Sequence, residues 1–162
     1  AVAAATGATF VRVNGHAGAR LTDQGIVEGR AHETLRLRER LDAAVRVLAD
    51  VDVKHSAPLA DRPLAEVARE TVERGGADGL VVSGPATGER VDTGRLATVA
   101  TVAEETGVPL VLGSGVTPGT VGELLHLADA AIVGTALKAG DDVTAPVDEA
   151  RVSELVAAVR DD

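Results

Sequence analysis

The sequence VPLVLGSGVT, residues 108–117, joins an apolar run to a glycine-rich loop, and Pro118 follows it directly. A strand without polar side chains is typical of a parallel sheet, whose strands are covered on both faces. Proline is favoured in the first turn of a helix, so the loop is predicted to lead into one. Backbone N–H groups beside a helix N-terminus attract anions. This stretch therefore predicts a strand, a loop and a helix, with an anion site between strand and helix.

A second strand with a small-residue loop follows, as residues 130–133 (AAIV) and then Gly134 and Thr135. In (β/α)8 barrels the loops after the last two strands often bind a phosphate group. The paired arrangement predicts a phosphate site formed by Gly113, Ser114, Gly115, Gly134 and Thr135. Tight turns alone would explain the same glycines, and that alternative stays open.

The composition limits the classes of partner. The formal net charge is −9, and a nucleic-acid partner is not expected because phosphate backbones require a basic face. The chain has no cysteine, which excludes a disulfide, a thiolate nucleophile and a cysteine metal site. No apolar run approaches the length of a membrane span and no segment resembles a signal peptide, so a cytoplasmic location is expected. Homo-oligomerisation is left open.

Strands and helices are predicted to alternate along the chain. The strands are expected at residues 9–14, 45–55, 79–84, 108–112 and 130–133, and the main helices at residues 27–41, 61–74, 93–106 and 148–160. This order indicates an α/β fold with a parallel sheet and right-handed crossovers. The 162 residues are enough for a single domain with a sizeable core.

Five βα units are too few to close an eight-stranded barrel. Residues 1–7 have the composition of a helix C-terminus that ends at Gly7, and the chain has no methionine. The expectation is therefore a single domain over residues 1–162 that forms the later part of a TIM (β/α)8 barrel, with the first strands missing. An open five-stranded sheet is the alternative.

The second predicted strand, residues 45–55, is more polar than the others. Asp50, Asp52 and Lys54 alternate with valines, which places two carboxylates and an ammonium on one face of a continuous strand. The polar end lies toward the loop where barrel enzymes keep their reacting groups. Arginine fills all Lys and Arg positions except Lys54 and Lys138, which favours a specific role for Lys54. A solvated edge strand would show the same alternation.

Three segments together resemble the BtpA family, which is named for photosystem I biogenesis. They are TDQG (residues 22–25), DVDVKH (residues 50–55) and GSGVT (residues 113–117). The resemblance extends from residues 10–14 to residues 146–148. Family members are longer and resemble phosphate-binding TIM barrels, which implies that this chain holds strands four to eight. The chain departs from the family pattern at Asp52, where a histidine is usual, and at residues 15–17 (GHA).

The leading hypothesis is an enzyme that acts on a small phosphorylated metabolite, such as a sugar phosphate or a nucleoside-derived phosphate. A carboxylate near an ammonium suits proton transfer beside a carbonyl, with the aspartate as base and Lys54 stabilising the enolate. Isomerisation or aldol cleavage is the expected reaction. A Schiff base at Lys54 is less favoured, because two neighbouring aspartates stabilise its charged form. The candidate catalytic residues are Asn14, Asp50, Asp52 and Lys54, and the candidate substrate-binding residues are Arg12, Asp23, His55, Ser83 and Thr87.

Two alternatives stay open, a Mg²⁺ site and a non-enzymatic function. Asp23, Asp50, Asp52 and His55 would supply ligands to Mg²⁺, the only cofactor that the sequence brings into question. The second alternative is a non-enzymatic assembly factor that uses the barrel as a scaffold. The single aromatic residue, Phe10, argues against it, because interface anchors are often aromatic. The remaining histidines, which are expected at the surface or in loops, are His16, His32 and His126.

Overall fold

The computed structural model describes residues 1–53, 55–84, 92–113 and 115–160, except the side chain of Asp141. Its strands are β1 (Phe10–Val13), β2 (Ala19–Thr22), β3 (Gly25–Glu28), β4 (Arg46–Asp50), β5 (Ser56–Pro58), β6 (Gly79–Val82), β7 (Leu110–Leu112) and β8 (Ala130–Ala131). Its helices are α1 (Val2–Ala5), α2 (Ala31–Arg40), α3 (Leu64–Glu73), α4 (Thr93–Thr106), α5 (Val121–Leu125) and α6 (Glu149–Arg160). None of these described helices is long and apolar enough to cross a membrane.

Five strands form one parallel sheet in the order β1-β4-β6-β7-β8, which is also their order along the chain. Leu80 of β6 lies opposite Leu110 of β7, and Leu112 of β7 lies opposite Ala131 of β8. The sheet is curled like half of a barrel. Among the described strands, β1 pairs only with β4 and β8 only with β7, so this sheet stays open. The predicted parallel strands in chain order are confirmed, whereas further barrel strands before β1 stay a prediction.

The core lies between this sheet and the helices that follow its strands. All residues of β6 and β7 are buried, as expected for strands covered on both faces. Leu96 and Val99 of α4 are fully buried in the same core. Helix α4 has the predicted bounds, because Asp92 caps it by accepting a hydrogen bond from Arg95 N at 2.8 Å and Gly107 ends it with φ of 68°.

A second sheet, which the sequence did not predict, has three antiparallel strands in the order β3-β2-β5. Strands β2 and β3 form a hairpin in which Leu21 lies opposite Ile26. The Thr22 hydroxyl donates to the Gly25 carbonyl at 2.9 Å across the turn. Gly25 has φ of 111°, a value that favours glycine. The TDQG segment is therefore the turn of a hairpin.

The predicted start of the helix at residue 27 is wrong. Val27 belongs to β3, and α2 begins at Ala31. The arginine and glutamate residues at helical spacing begin before α2, so the sequence pattern of a helix also covers part of the short strand β3. The N-cap residue, Arg30, gives no side-chain hydrogen bond that would mark the true start.

Strand β4 is also shorter than predicted. It ends at Asp50 instead of continuing to His55, and β5 begins at Ser56. His55 has φ of 54°, a left-handed conformation that a continuous strand excludes. The predicted alternation on one continuous strand is therefore wrong, because Asp52 lies in the loop after β4. Lys54 lies outside the described residues.

Helix α5 begins at Val121 and not at Pro118 as predicted. The backbone N–H of Thr117 donates to the Thr120 hydroxyl at 3.0 Å, which closes a turn over residues 117–120. Threonine hydroxyls compete with helix formation for backbone N–H groups, so the turn delays the helix.

An aspartate fastens each of two strands to its neighbour. Asp78, before β6, donates its N–H to the Val47 carbonyl at 2.8 Å, and its carboxylate accepts from the Val47 N–H at 2.8 Å. Asp129, before β8, makes the same two bonds with Leu110, at 2.9 and 2.8 Å. The Ala-Asp pair that occurs before both strands in the sequence therefore helps to fix the register of the sheet.

We expect Asp129→Ala to lower the free energy of unfolding by about 1 to 2 kcal/mol, because the buried Leu110 N–H loses its acceptor. Asp129→Asn keeps an oxygen acceptor and should cost less. Glu104→Ala, which removes an exposed carboxylate from α4, is the control. Urea unfolding followed by circular dichroism measures all three variants. If Asp129→Ala is as stable as the wild type, the carboxylate does not fasten the strands.

Candidate functional site

An ion pair connects β1, β4 and the end of β6. Arg12 donates twice to Asp50, from Nε to Oδ2 at 2.9 Å and from Nη2 to Oδ1 at 2.6 Å. The same Nη2 donates to Ser83 Oγ at 3.1 Å, and this hydroxyl donates to Asp50 Oδ1 at 3.4 Å. The side chain of Asp50 is 3% exposed and that of Arg12 is 30% exposed. The hydrogen bond with Asp50 raises the pKa of Arg12 above its ordinary value, so the guanidinium keeps its charge.

Gly113 extends this group to the next strand, β7. A Cβ atom at residue 113 would lie 2.3 Å from Ser83 Oγ and 3.1 Å from Arg12 Nη2, so any side chain would displace the ion pair. The Gly113 N–H donates to the Val82 carbonyl at 2.7 Å. Gly113 would therefore contribute to a phosphate site through the space that it leaves, because its N–H is already bonded.

The other predicted phosphate-binding residues follow two adjacent strands. Gly115 lies after β7 and has φ of 73°, which favours glycine. Gly134 lies after β8, and Thr135 begins a 3₁₀ turn there. Because β7 and β8 are paired and parallel, the two loops leave the sheet at the same edge. Ser114 lies outside the described residues.

A second cluster of charges lies in the loop after β4. Asp52 Oδ1 accepts from Arg20 Nη2 of β2 at 2.5 Å, and Asp52 Oδ2 accepts from Arg95 Nη2 of α4. Arg20 also donates from Nε to Ser56 Oγ at 2.6 Å, which ties the antiparallel sheet to this loop. The Asp52 side chain is 38% exposed and the Arg95 side chain is 46% exposed. A partly exposed carboxylate is thus held between two guanidinium groups from different elements.

Two cavities meet at the Asp52 and Arg95 pair. The first, of about 300 Å³, is lined by residues that include Asp52, His55, Ser83 and Arg95, and we call it the serine cavity. The second, of about 440 Å³, is lined by residues that include Asp50, Asp52 and Arg95. The fold therefore gathers Asp52, His55 and Ser83, which the sequence placed in two distant segments, around one cavity.

The remaining candidates fall in other places. Asn14 follows β1 and is exposed. Asp23 is exposed at the tip of the hairpin, where its Oδ2 accepts from Gln24 Nε2 at 3.1 Å, and it lines neither of the two cavities. Lys54 and Thr87 lie outside the described residues.

His16 lies in a loop, one of the two predicted places, but it is not at the surface. His16 is 1% exposed, and its Nε2 lies 2.8 Å from the Gly75 carbonyl oxygen, so it is a buried residue. The loop after β1 packs inward at this point, where it meets the end of α3. His32 and His126 are exposed, as predicted.

The predicted Mg²⁺ ligands are not gathered. Within residues 1–53, 55–84, 92–113 and 115–160 there is no group of three or more His, Asp or Glu side chains that could hold a metal ion. Asp50 is bound by Arg12, and Asp52 is bound by two arginines. Asp23 lies at the hairpin tip.

Two arginines at the cavities, Arg20 and Arg95, were missed by sequence reasoning. Arg20 lies in the hairpin, a segment in which the sequence predicts no strand. Arg95 lies in the first turn of α4, where the helix dipole disfavours a cation. A cation at a helix N-terminus is a signal that could have marked Arg95, but its partner Asp52 lies 43 positions away, so the sequence alone does not identify the bond.

Comparison with known proteins identifies a family. The model of the BtpA family matches residues 1–161. The photosystem I biogenesis protein BtpA of Synechocystis sp. is 40% identical over 159 residues, which cover 98% of this chain and 55% of that protein. An uncharacterised protein of Thermococcus kodakarensis is 43% identical over 155 residues, which cover 96% of this chain and 58% of that protein. This chain thus spans a little over half the length of both relatives.

Two solved structures share the fold, which is of the TIM-barrel type. Phosphoribosyl anthranilate isomerase from Thermococcus kodakaraensis superimposes with a TM-score of 0.56 at 21% identity, covering 97% of this chain and 66% of that chain. 3-Hexulose-6-phosphate synthase superimposes with a TM-score of 0.53 at 19% identity, covering 98% of this chain and 65% of that chain. At these identities the likeness concerns the fold alone. The match of the family model and the identity with the relatives establish that this chain belongs to the BtpA family.

Proposed function

We propose that the protein binds a small phosphorylated metabolite at the carboxyl ends of its parallel strands and catalyses isomerisation or aldol-type cleavage of it. The observation that carries the proposal is the convergence of Arg12, Asp50, Ser83 and Gly113 from four adjacent strands. Ligands of α/β barrels bind at this edge of the sheet. The glycine loops after β7 and β8 lie beside it and provide the phosphate site.

The residues of the serine cavity suggest which side chain would carry out each step of the reaction. Both carboxylates pair with arginine, but Asp52 is 38% exposed and lines the cavity, whereas the Asp50 side chain is 3% exposed. Asp52 is therefore the carboxylate that can reach a ligand and accept a proton from the carbon beside its carbonyl. Lys54 would stabilise the negative charge on the enolate oxygen. Transfer of the neighbouring hydroxyl proton to this oxygen and return of the abstracted proton to the former carbonyl carbon would complete an isomerisation.

The names of the two structural relatives fit this class of ligand. One is an isomerase of a phosphoribosyl compound and the other is a synthase of a hexulose phosphate. This support is by analogy of fold, because unrelated functions occur on barrels of the same type.

A second candidate function is an assembly factor that binds a protein partner. It is favoured by Leu21 and Ile26, which lie opposite each other in the hairpin and are 51% and 60% exposed. The Synechocystis relative is named for photosystem I biogenesis. Such a function would use the antiparallel sheet and would not require a ligand at the parallel strands.

Paired ligands distinguish the two functions. We expect ribose 5-phosphate and fructose 6-phosphate to raise the melting temperature of the full-length protein, whereas ribose and fructose at equal concentration should not. Isothermal titration then gives the affinities. Equal effects of the phosphorylated and unphosphorylated members would refute the phosphate site, and no effect of a broad panel of metabolites would favour the assembly factor.

Gly115→Val should abolish the stabilisation by phosphorylated ligands. A β-branched side chain at φ of 73° strains the backbone by about 1 to 3 kcal/mol and moves the loop. Gly119→Val is the matched control in the same segment, because a Cβ atom at residue 119 meets no atom within 4 Å. The site is in another place if both variants retain the melting shift given by ribose 5-phosphate.

A further inference from the structure

Two arginines at the cavities have N–H donors that the described residues do not use. The Arg95 guanidinium donates from Nη2 to Asp52, and its Nε and Nη1 have no partner among the described residues. Arg20 donates from Nε and Nη2 to Ser56 and Asp52, and its Nη1 has no partner in the same part of the chain. A guanidinium offers five N–H donors in a planar fork, which suits two-point binding of a carboxylate or a phosphate.

The charge around Asp52 favours an added anion. Two guanidinium groups face one carboxylate, which leaves a net positive charge at this place. Asp92 also lines the serine cavity, but its carboxylate accepts the backbone N–H of Arg95 and caps α4.

Arg62 provides a contrast in the neighbouring cavity. Its Nη1 donates to Glu70 and its Nη2 donates to Glu66, each at 2.9 Å. These hydrogen bonds raise the pKa of Arg62, so its charge is matched by two carboxylates. An arginine that lines a cavity is thus not sufficient for an anion site, and Arg95 differs by its unused donors.

Ser83 connects the serine cavity with the residue that precedes the first glycine loop. Ser83 lines the serine cavity together with Arg95, and its Oγ lies where a side chain of Gly113 would be. Arg95 lies on α4 and the Gly115 loop follows β7, so an anion at Arg95 and a phosphate at that loop would occupy different places at this edge of the sheet.

We propose that Arg95, assisted by Arg20, binds a second anionic group of the substrate. The substrate class is then a small metabolite with a phosphate at one end and a carboxylate or a second phosphate at the other. In the free protein Asp52 keeps the two guanidinium groups oriented toward the cavity. An incoming anion would accept from the Nε and Nη1 groups of Arg95 and leave the bond between Nη2 and Asp52 in place. This inference rests on the phosphate site proposed above and adds the other end of the ligand.

Matched probes test it in the full-length protein by isothermal titration. Glycerol 3-phosphate and 3-phosphoglycerate share the phosphate and differ by a carboxylate, as fructose 6-phosphate and fructose 1,6-bisphosphate differ by a phosphate. We expect the member with two anionic groups to bind about ten- to a hundredfold more tightly. Arg95→Gln should remove this preference without weakening the member with one anionic group. Arg62→Gln, the control with the same change of charge, should keep the preference.

The conservative variant Arg95→Lys keeps the charge and loses the planar fork, so it should keep part of the preference. Circular dichroism confirms that each variant is folded, and Arg95→Lys carries the test if Arg95→Gln is not. Equal binding of the two members of each pair, or an equal loss in Arg62→Gln, overturns this inference and leaves the phosphate site standing. Absence of binding by every phosphorylated probe overturns both.

Discussion

Arg12→Leu is expected to lower the free energy of unfolding by about 3 kcal/mol. The Asp50 carboxylate is 3% exposed, and removal of Arg12 would leave it buried with the Ser83 hydroxyl as its one partner in the described part of the chain. Breaking a buried ion pair from one side costs roughly 3 to 5 kcal/mol, and we take the lower value because Arg12 itself is 30% exposed. Urea unfolding followed by circular dichroism gives the measurement.

A double variant distinguishes the loss of stability due to an unpaired charge from the loss due to side-chain packing. Arg12→Leu with Asp50→Leu removes both charges and should recover most of the loss, since no unpaired carboxylate remains. Arg69→Leu breaks the exposed pair with Glu105, which lies at 2.6 Å, and should change the stability little. The buried-pair interpretation is contradicted if the single and double variants are equally unstable.

Lys54→Met is expected to lower the turnover of the full-length protein by about a hundred- to a thousandfold, the usual cost of removing a group that stabilises a developing charge. The prediction rests on the sequence, because Lys54 lies outside the described residues. Its neighbours in the chain, Val53 and His55, both line the serine cavity. Lys54→Arg should also lose most of the activity, because a planar fork replaces a compact ammonium.

Lysine 138 supplies the control for this experiment. Lys138 Nζ donates to the Val143 carbonyl after β8, and Lys138 is the other lysine of the chain. Lys138→Met should leave the turnover unchanged, and thermal melts should be similar for all variants. A lysine that only forms a salt bridge would change the stability by about 1 kcal/mol or less and leave the rate unchanged. Near-normal turnover in both Lys54 variants would show that this lysine is not catalytic.

The parallel sheet could be predicted because its strands carry their own signal. Strands β6 and β7 are apolar at every position, and the loops around them contain glycine, proline and aspartate. Burial on both faces demands this composition wherever the strand lies in the sheet. The bounds of α4 were equally clear, since an aspartate cap and a terminal glycine act within a few residues of the helix ends.

The antiparallel sheet could not be predicted in the same way. Its strands have three or four residues each, and Leu21, Ile26 and Val27 are exposed, so no alternation of burial marks them. Its third strand, β5, pairs with β2 across a long stretch of chain, as the bond between Arg20 and Ser56 spans 36 positions. Such a pairing is decided by the whole fold.

The sequence by itself determined the order of the parallel strands and the positions of the loops at their carboxyl ends. It also identified the polar residues of this region, which include Arg12, Asp50, Asp52 and Ser83. Only the tertiary structure decided how these residues pair. The chain leaves the strand after Asp50, the Asp50 carboxylate pairs with Arg12, and Asp52 lies between Arg20 and Arg95. Strand composition reflects burial, which each residue experiences locally, whereas an ion pair depends on the distance between groups that the chain keeps far apart until it folds.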